Sequence, residues 1–312
     1  MPSIAMIFLA FLQALLLLAL APLMTGLSRM IRARMHSRRG PGVLQDYRDI
    51  AKLLKRQDVA PAASGPVFRF TPYIVLSAML LLAMALPVLS PHSLLGPVAD
   101  LITFVYVFAL ARFFFALSGI DSGSAFAGIG ASRELMMGVL VEPTMILSLL
   151  VVALIEGTTN LGSISTAMAG GQLQSPVALS LAMLAFAFTV FIEMGKLPFD
   201  MAEAEQELQE GPLTEYSGSA LAVLKLGLAL KKMVLVLFLL GVFLPFGNAG
   251  SDSLASLLGS TLAVALKVLL IFLLFGLIEN SMARGRYMLS SRVTWIGFGV
   301  AVLAFVFYLT GL

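Results

Sequence analysis

Long apolar runs alternate with short polar segments along the whole chain. Eight runs reach the roughly 20 residues that a helix needs to cross about 30 Å of hydrocarbon. They cover residues 4–27, 70–90, 99–118, 135–155, 176–195, 220–246, 256–279 and 293–311. The pattern predicts an all-α integral membrane protein, a single polytopic domain over residues 1–312, with no repeat or linker dividing it. The first run lacks a basic leader, and its basic residues follow it, so a retained helix with its N-terminus outside is expected. The run 220–246 is longer than an upright span requires and is expected to tilt. Residues 118–132 carry Gly119, Gly123, Gly128 and Gly130 and read as a flexible turn. Their spacing is not a dinucleotide fingerprint.

Composition supports the same class. Of 312 residues, 59% are hydrophobic and 12% charged, about half the charged share of a soluble domain. There is no cysteine, which excludes disulfides, thiolate zinc sites and ordinary iron–sulfur ligation by this chain. Two histidines, His36 and His92, are too few for a haem pair or a histidine-rich metal site. Electrons, if the protein serves redox chemistry, must travel through a partner.

The net charge of +3 is small, but its distribution orients the chain. Lys and Arg remain on the cytoplasmic side during insertion. The loop 28–69 holds ten basic residues against Asp46, Asp49 and Asp58. In alternate loops follow Arg133, then Lys196, then Arg284, Arg286 and Arg292. The intervening loops 91–98, 156–175 and 247–255 have no Lys or Arg. Eight spans with both termini periplasmic, and two structured cytoplasmic loops, are therefore expected.

Those two loops have opposite sign. In the first, Arg38, Arg39, Gly40, Pro41 and Gly42 form a rigid turn, and residues 43–56 read as an amphipathic helix with Leu44, Tyr47, Ala51 and Leu54 on one side. Such a helix either lies at the lipid interface or docks a cytoplasmic partner. In the second, Asp200 and Glu203 have capping-box spacing, and Gly211-Pro212 would end the helix. Asp200, Glu203, Glu207 and Glu210 then share a stripe about 80° wide, with Glu205 opposite. The acidic helix either neutralises the basic loop or, by mutual repulsion, holds protons.

Several ionisable residues fall within the spans, where each is costly unless it faces protein or water. Glu142, before Pro143, lies in the fourth span, and Glu193 lies near the cytoplasmic end of the fifth. These two are the candidates for a proton relay. Arg112, Lys225 and Glu279 are expected to snorkel or pair at the interface. Lys231 and Lys232 add charge to the sixth span. Lys267, about 15 Å into the seventh, needs a carboxylate or carbonyls, in this chain or a neighbouring subunit, or it loses its proton.

These residues resemble a known family. Arg38-Arg39-Gly40-Pro41, then Leu44-Gln45 with Asp46, Arg48 and Asp49 through Lys52-Leu53-Leu54-Lys55, are similar to the membrane subunit that forms the quinone chamber of bacterial respiratory complex I. So are Glu193 with Pro198-Phe199-Asp200, Glu203, Glu205, Glu207 and Glu215-Tyr216, and the pair Arg133 and Glu142. The strings RRGPGVLQDYRDIAKLLKRQ, IGASRE, IEMGKLPFD, AEAEQELQEGPLTEYSG and ENSMARGR more closely resemble the membrane subunits of group 4 NiFe hydrogenases, of the hydrogenase-4 and formate hydrogenlyase type.

The resemblance implies a non-catalytic anchor and coupling subunit in the bacterial inner membrane. Its implied partners are a NiFe hydrogenase large subunit, an iron–sulfur small subunit and antiporter-like membrane subunits within the lipid bilayer, with no nucleic acid. Cofactors would belong to those partners. The basic and acidic loops would form the docking floor, and the loop carboxylates with Glu215 would lead protons to Glu193 and Glu142. Two departures from complex I weigh against quinone: a shorter turn after Gly40-Pro41, and Leu228 where that family carries a carboxylate. The alternatives are a quinone-chamber subunit of complex I and a stand-alone ion transporter.

Overall fold

A computed structural model describes residues 4–90, 93–96, 98–171, 175–248, 254–283 and 287–311. His92, Arg284 and Arg286 lie outside the described residues, as does the side chain of Glu205. Eleven α-helices follow one another among the described residues. They are α1 (Ile4–Met35), α2 (Gln45–Leu54), α3 (Pro66–Ala85), α4 (Leu101–Asp121), α5 (Ala125–Glu156), α6 (Leu161–Ala169), α7 (Pro176–Glu193), α8 (Glu205–Leu208), α9 (Gly218–Phe243), α10 (Leu254–Ser281) and α11 (Tyr287–Thr310). Eight of them, α1, α3, α4, α5, α7, α9, α10 and α11, are long and apolar enough to cross a membrane. They correspond one to one with the eight apolar runs.

The boundaries differ where charge or packing outweighs hydropathy. Helix α1 continues past the apolar run to Met35, because Arg29, Arg32 and Arg34 are good helix formers and suit the negative end of the helix dipole. The glycine-rich stretch is not a flexible loop. Helix α4 runs to Asp121 and α5 begins at Ala125, so the turn is Ser122, Gly123 and Ser124. Gly130 sits inside α5 because a Cβ there would stand 2.7 Å from the Pro212 ring and 2.8 Å from the Ala202 carbonyl oxygen. Close approach of the acidic loop, rather than flexibility, requires that glycine.

The expected acidic helix from Asp200 to Glu210 is also not formed. Within that stretch only Glu205–Leu208 is helical, and Ala204, Gln209 and Glu210 have positive φ. Phe199, Met201, Ala202, Ala204 and Leu208 are all buried. A continuous helix cannot contain the positive φ of Ala204, Gln209 and Glu210, and the chain instead folds back so that the Ala202 carbonyl meets Gly130 and Gly211, which gives up the carboxylate stripe. Tyr216 anchors the end of this loop: its ring stacks on Phe68 at 4.0 Å and its hydroxyl donates to the Phe68 carbonyl at 2.8 Å. Burial raises the Tyr216 hydroxyl to about 12.

Helix α9 is the centre of the bundle, packed by α1, α3 and α7. Its Phe238 meets Phe104 of α4 at 4.7 Å and Phe186 of α7 at 5.2 Å, and all three rings are fully buried. The first-loop helix α2 matches its expected position. Close contact of Gly26 with the Val43 carbonyl seats the loop on α1, where a Cβ would stand 2.1 Å from that oxygen. The Asp46 carboxylate accepts from Thr25 Oγ1 at 2.5 Å and pairs with Arg29.

Helix α10 is held to the bundle by one polar contact at its middle and another near its last turn. Lys267 donates to the Leu244 carbonyl at 2.7 Å and to that of Phe246, just past the end of α9, where unpaired carbonyls and the helix dipole favour a cation. Of the alternatives open to Lys267 from sequence, backbone carbonyls of this chain are the partners it meets. Near the last turn Glu279, 2% exposed, pairs with Arg32 and with Lys196 at 2.9 Å. Glu279 is a buried junction of three chain segments, and of the two expected behaviours, snorkelling or pairing, it pairs. Between these contacts Leu269, Leu270, Leu274 and Leu277 face outward. Glu279→Leu is expected to destabilise the protein by about 3 kcal/mol, since it leaves the buried Lys196 without its carboxylate. Thermal unfolding in mild detergent measures it, and an unchanged midpoint would show that this contact does not hold α10.

A buried charge cluster and two adjoining cavities

Arg112 lies well inside α4, and its side chain is 6% exposed. It neither snorkels nor sits at the interface. Its Nη1 donates to Glu142 at 2.5 Å, its Nε lies 3.5 Å from Glu134, and its Nη2 donates to Glu193. Glu193 in turn lies 3.1 Å from Lys231. Helices α4, α5, α7 and α9 each contribute to this cluster. An ionised group in hydrocarbon costs about 2.5–3.5 kcal/mol on insertion scales, so these charges hold one another in place.

The site depends on a gap in α5. Gly138 lies between Glu134 and Glu142 at helical spacing, so the three share one face. A Cβ at Gly138 would stand 2.6 Å from Arg112 Nη1 and 2.8 Å from its Cδ. The guanidinium therefore lies against bare backbone and reaches a carboxylate on either side. Glu134 escapes a reading by hydropathy, which places it in a loop before the span. Its i, i+4, i+8 spacing with Gly138 and Glu142 is the signal that could have found it.

A cavity of about 70 Å³ adjoins the cluster, lined among others by Arg112, Glu134, Glu193, Glu203, Lys231 and Lys232. That volume holds several waters. A larger cavity of about 350 Å³ lies toward the face carrying the two long loops. Arg29, Arg32, Asp46, Glu210, Lys225 and Glu279 are among its walls. Met194, Gly195, Asp200, Glu203, Leu228 and Lys232 line both cavities. Asp200 and Glu203 are thus carboxyls common to the two spaces, Glu203 the one whose proton burial holds, and Leu228 is an apolar side chain at the same boundary.

Burial raises the Glu203 carboxyl above the usual range. Lys232 opposes the shift, while Glu134, Glu210 and Asp200 reinforce it. Burial, with Lys232 and Arg32 nearby, also pulls the Lys196 ammonium down to about 7, against its contact with Glu279.

The other sequence-selected residues are spread more widely. Glu207 is exposed and pairs with Arg133 at 2.8 Å, so Arg133 faces the acidic loop rather than Glu142 in that contact. Glu215 is half-buried beside Tyr216 and lines neither cavity. In the first loop Arg38, Arg39, Pro41 and Arg48 are exposed. Gly40 packs over Ala33, and Gln45 donates to Asp49 at 2.8 Å within α2. The acidic loop and the basic segment meet chiefly as opposite walls of the larger cavity.

Arg112→Met leaves three carboxylates facing one remaining lysine and is expected to cost about 3–5 kcal/mol of stability. Adding Glu193→Gln should recover part of that loss; a double variant no more stable than the single one would break the electrostatic account. Gly138→Val should displace the guanidinium and cost about 1–3 kcal/mol, measured in the same unfolding assay. Glu203, with its raised carboxyl, binds its proton more tightly in the folded state, so its contribution to stability is present at low pH and lost as pH rises through its folded value. Infrared spectroscopy should show a protonated carboxyl at pH values where exposed glutamates are ionised, and Glu203→Gln should remove that band.

Comparison with known proteins identifies the scaffold. The NADH dehydrogenase family matches residues 7–310. Hydrogenase-4 component C of Escherichia coli (strain K12) is 59% identical over 98% of this chain and 97% of its own length. Formate hydrogenlyase subunit 4 of the same organism is 54% identical over 94% and 96%. NADH-ubiquinone oxidoreductase chain 1 of Carassius auratus is 31% identical over 95% and 91%. Among solved structures, a chain of the membrane-bound sulfane sulfur reductase, an archaeal respiratory membrane complex, superposes with a TM-score of 0.84 at 25% identity, covering 95% of this chain and 98% of that one. With its eight apolar helices, this is a multi-pass protein of the bacterial inner membrane. The chain belongs to the NADH dehydrogenase family, and within it to the group of hydrogenase-4 component C and formate hydrogenlyase subunit 4.

Proposed function

We propose that the chain is the membrane anchor and coupling subunit of a membrane-bound NiFe hydrogenase complex of the formate hydrogenlyase type. It has no catalytic centre of its own in this reading. The hydrogenase large subunit, with its metal centre, and an iron–sulfur small subunit rest on the face that carries the two long loops. The identity to hydrogenase-4 component C supports the type of complex. A chain without cysteine leaves sulfur ligation to other subunits. The exposed Arg38, Arg39, Pro41 and Arg48, and the outward side of α2, supply a basic surface for docking.

Coupling runs from the larger cavity, through Glu203, to the Arg112 cluster. The carrying observation is that Glu203 lines both cavities while the smaller one opens onto Glu134 and Glu193. Protons, or strain from movement of the docked arm, pass from Glu210 and Glu203 to Glu193 and Glu142, then to antiporter-like membrane subunits. Leu228 at the boundary supplies no carboxyl, so Asp200, water or movement of Glu203 bridges the two cavities there.

The reading includes no quinone. Of the 21 residues lining the larger cavity, 11 are charged, whereas sites for apolar ligands are mainly hydrophobic with few polar groups. Activity of the purified complex should therefore not depend on added quinone.

Glu203→Gln in the intact complex, expressed with its partners, tests the relay. Formate-dependent hydrogen evolution and proton movement are measured together in membrane vesicles. Loss of proton movement with the complex still assembled is expected. Unchanged movement would leave the chain as an anchor alone.

A further inference from the structure

Glu142 differs from the other two carboxylates bound to Arg112. Its side chain is 31% exposed, against 5% for Glu193 and 20% for Glu134. It also does not line the small cavity beside the cluster. Its position is about 21 Å along α5 from the Glu156 end, within the apolar layer. On α5 it adjoins an outward stripe: Leu135, Val139, Ile146 and Leu150 are 38%, 73%, 50% and 43% exposed. The exposed part of Glu142 therefore opens sideways, at a depth where lipid offers no hydrogen bond.

We infer that the α5 stripe around Glu142 seats a transmembrane helix of a different subunit, which presents a basic side chain to that carboxylate. The inference rests on the reading of the chain as one subunit of a complex, and it is independent of the relay. Charge supports it: Arg112 is shared among Glu134, Glu142 and Glu193, Lys231 pairs with Glu193, and Lys232 lines the cavity that Glu142 does not, so Glu142 has a share of one cation among the ion pairs of the described residues. Geometry supports it as well. The positions 135, 139, 142, 146 and 150 follow in steps of four, three, four and four residues, a stripe along which one helix can pack on another. A second copy of this chain does not fit, because a two-fold contact on this stripe brings Glu142 against its own equivalent. Only a helix keeps its backbone satisfied at this depth.

The cysteine-free chain makes the test direct. Val139→Cys is introduced into the complex as it is made in cells, and a photoactivatable maleimide is attached in native membranes. After illumination, adducts are identified by mass spectrometry. The expected product joins this chain to a membrane helix of another polypeptide that carries Lys, Arg or His in the cross-linked segment. An intact complex giving only lipid adducts, dimers of this chain, or a helix without a basic residue would overturn the inference. A chain that purifies with no other polypeptide would instead overturn the subunit reading on which the inference stands.

Discussion

The arrangement depends on one constraint: a guanidinium inside an apolar layer must be met by carboxylates, and they by it. Arg112 satisfies this with groups on α5 and α7, and through Glu193 with Lys231 on the central helix α9. Four spans are thereby registered against one another at a single level. Apolar packing alone specifies such register weakly, since lipid tails are as favourable to Leu and Val as other helices are. Gly138 is part of the same solution, because the guanidinium can approach α5 closely only where no side chain intervenes.

The same rule explains how the outer helix α10 is attached. Its apolar surface gives little reason to prefer the bundle to lipid, and its two ionic contacts, Lys267 on the end of α9 and Glu279 between Arg32 and Lys196, provide it. Charge at one level joins α4, α5, α7 and α9, and at two others fixes α10. The cavities lie among these charges: the larger beside Arg32, Lys196 and Glu279, the smaller beside Arg112. Water-sized spaces lined by ionisable groups and bridged by Glu203 give the membrane domain a polar interior that reaches its loop-bearing face.

Much of this is legible in the residues alone. The eight spans follow from run length, and α2 follows from its amphipathic spacing. That Lys267 needs a carboxylate, carbonyls or loss of its proton follows from its depth. The failures have physical causes as well. Glycines at 119 and 130 imply flexibility when only local sequence is considered, yet they admit Pro212, Ala202 and neighbouring helix atoms. A carboxylate stripe over residues 200–210 assumes a continuous helix, which the positive φ of Ala204, Gln209 and Glu210 interrupts. Glu134 goes unnoticed because its helix begins earlier than hydropathy indicates.

By itself, the order of residues determined the class of protein, the number of spans and which side chains could not face lipid, because each is a matter of transfer free energy summed along the chain. Tertiary structure alone decided which of those charges meet. The ion pairs of Arg112 with Glu193 and of Glu279 with Arg32 join residues far apart in the chain, and no local periodicity encodes which helix faces which. Packing of the helices around α9 sets those distances, and with them the position of Glu203 between two cavities.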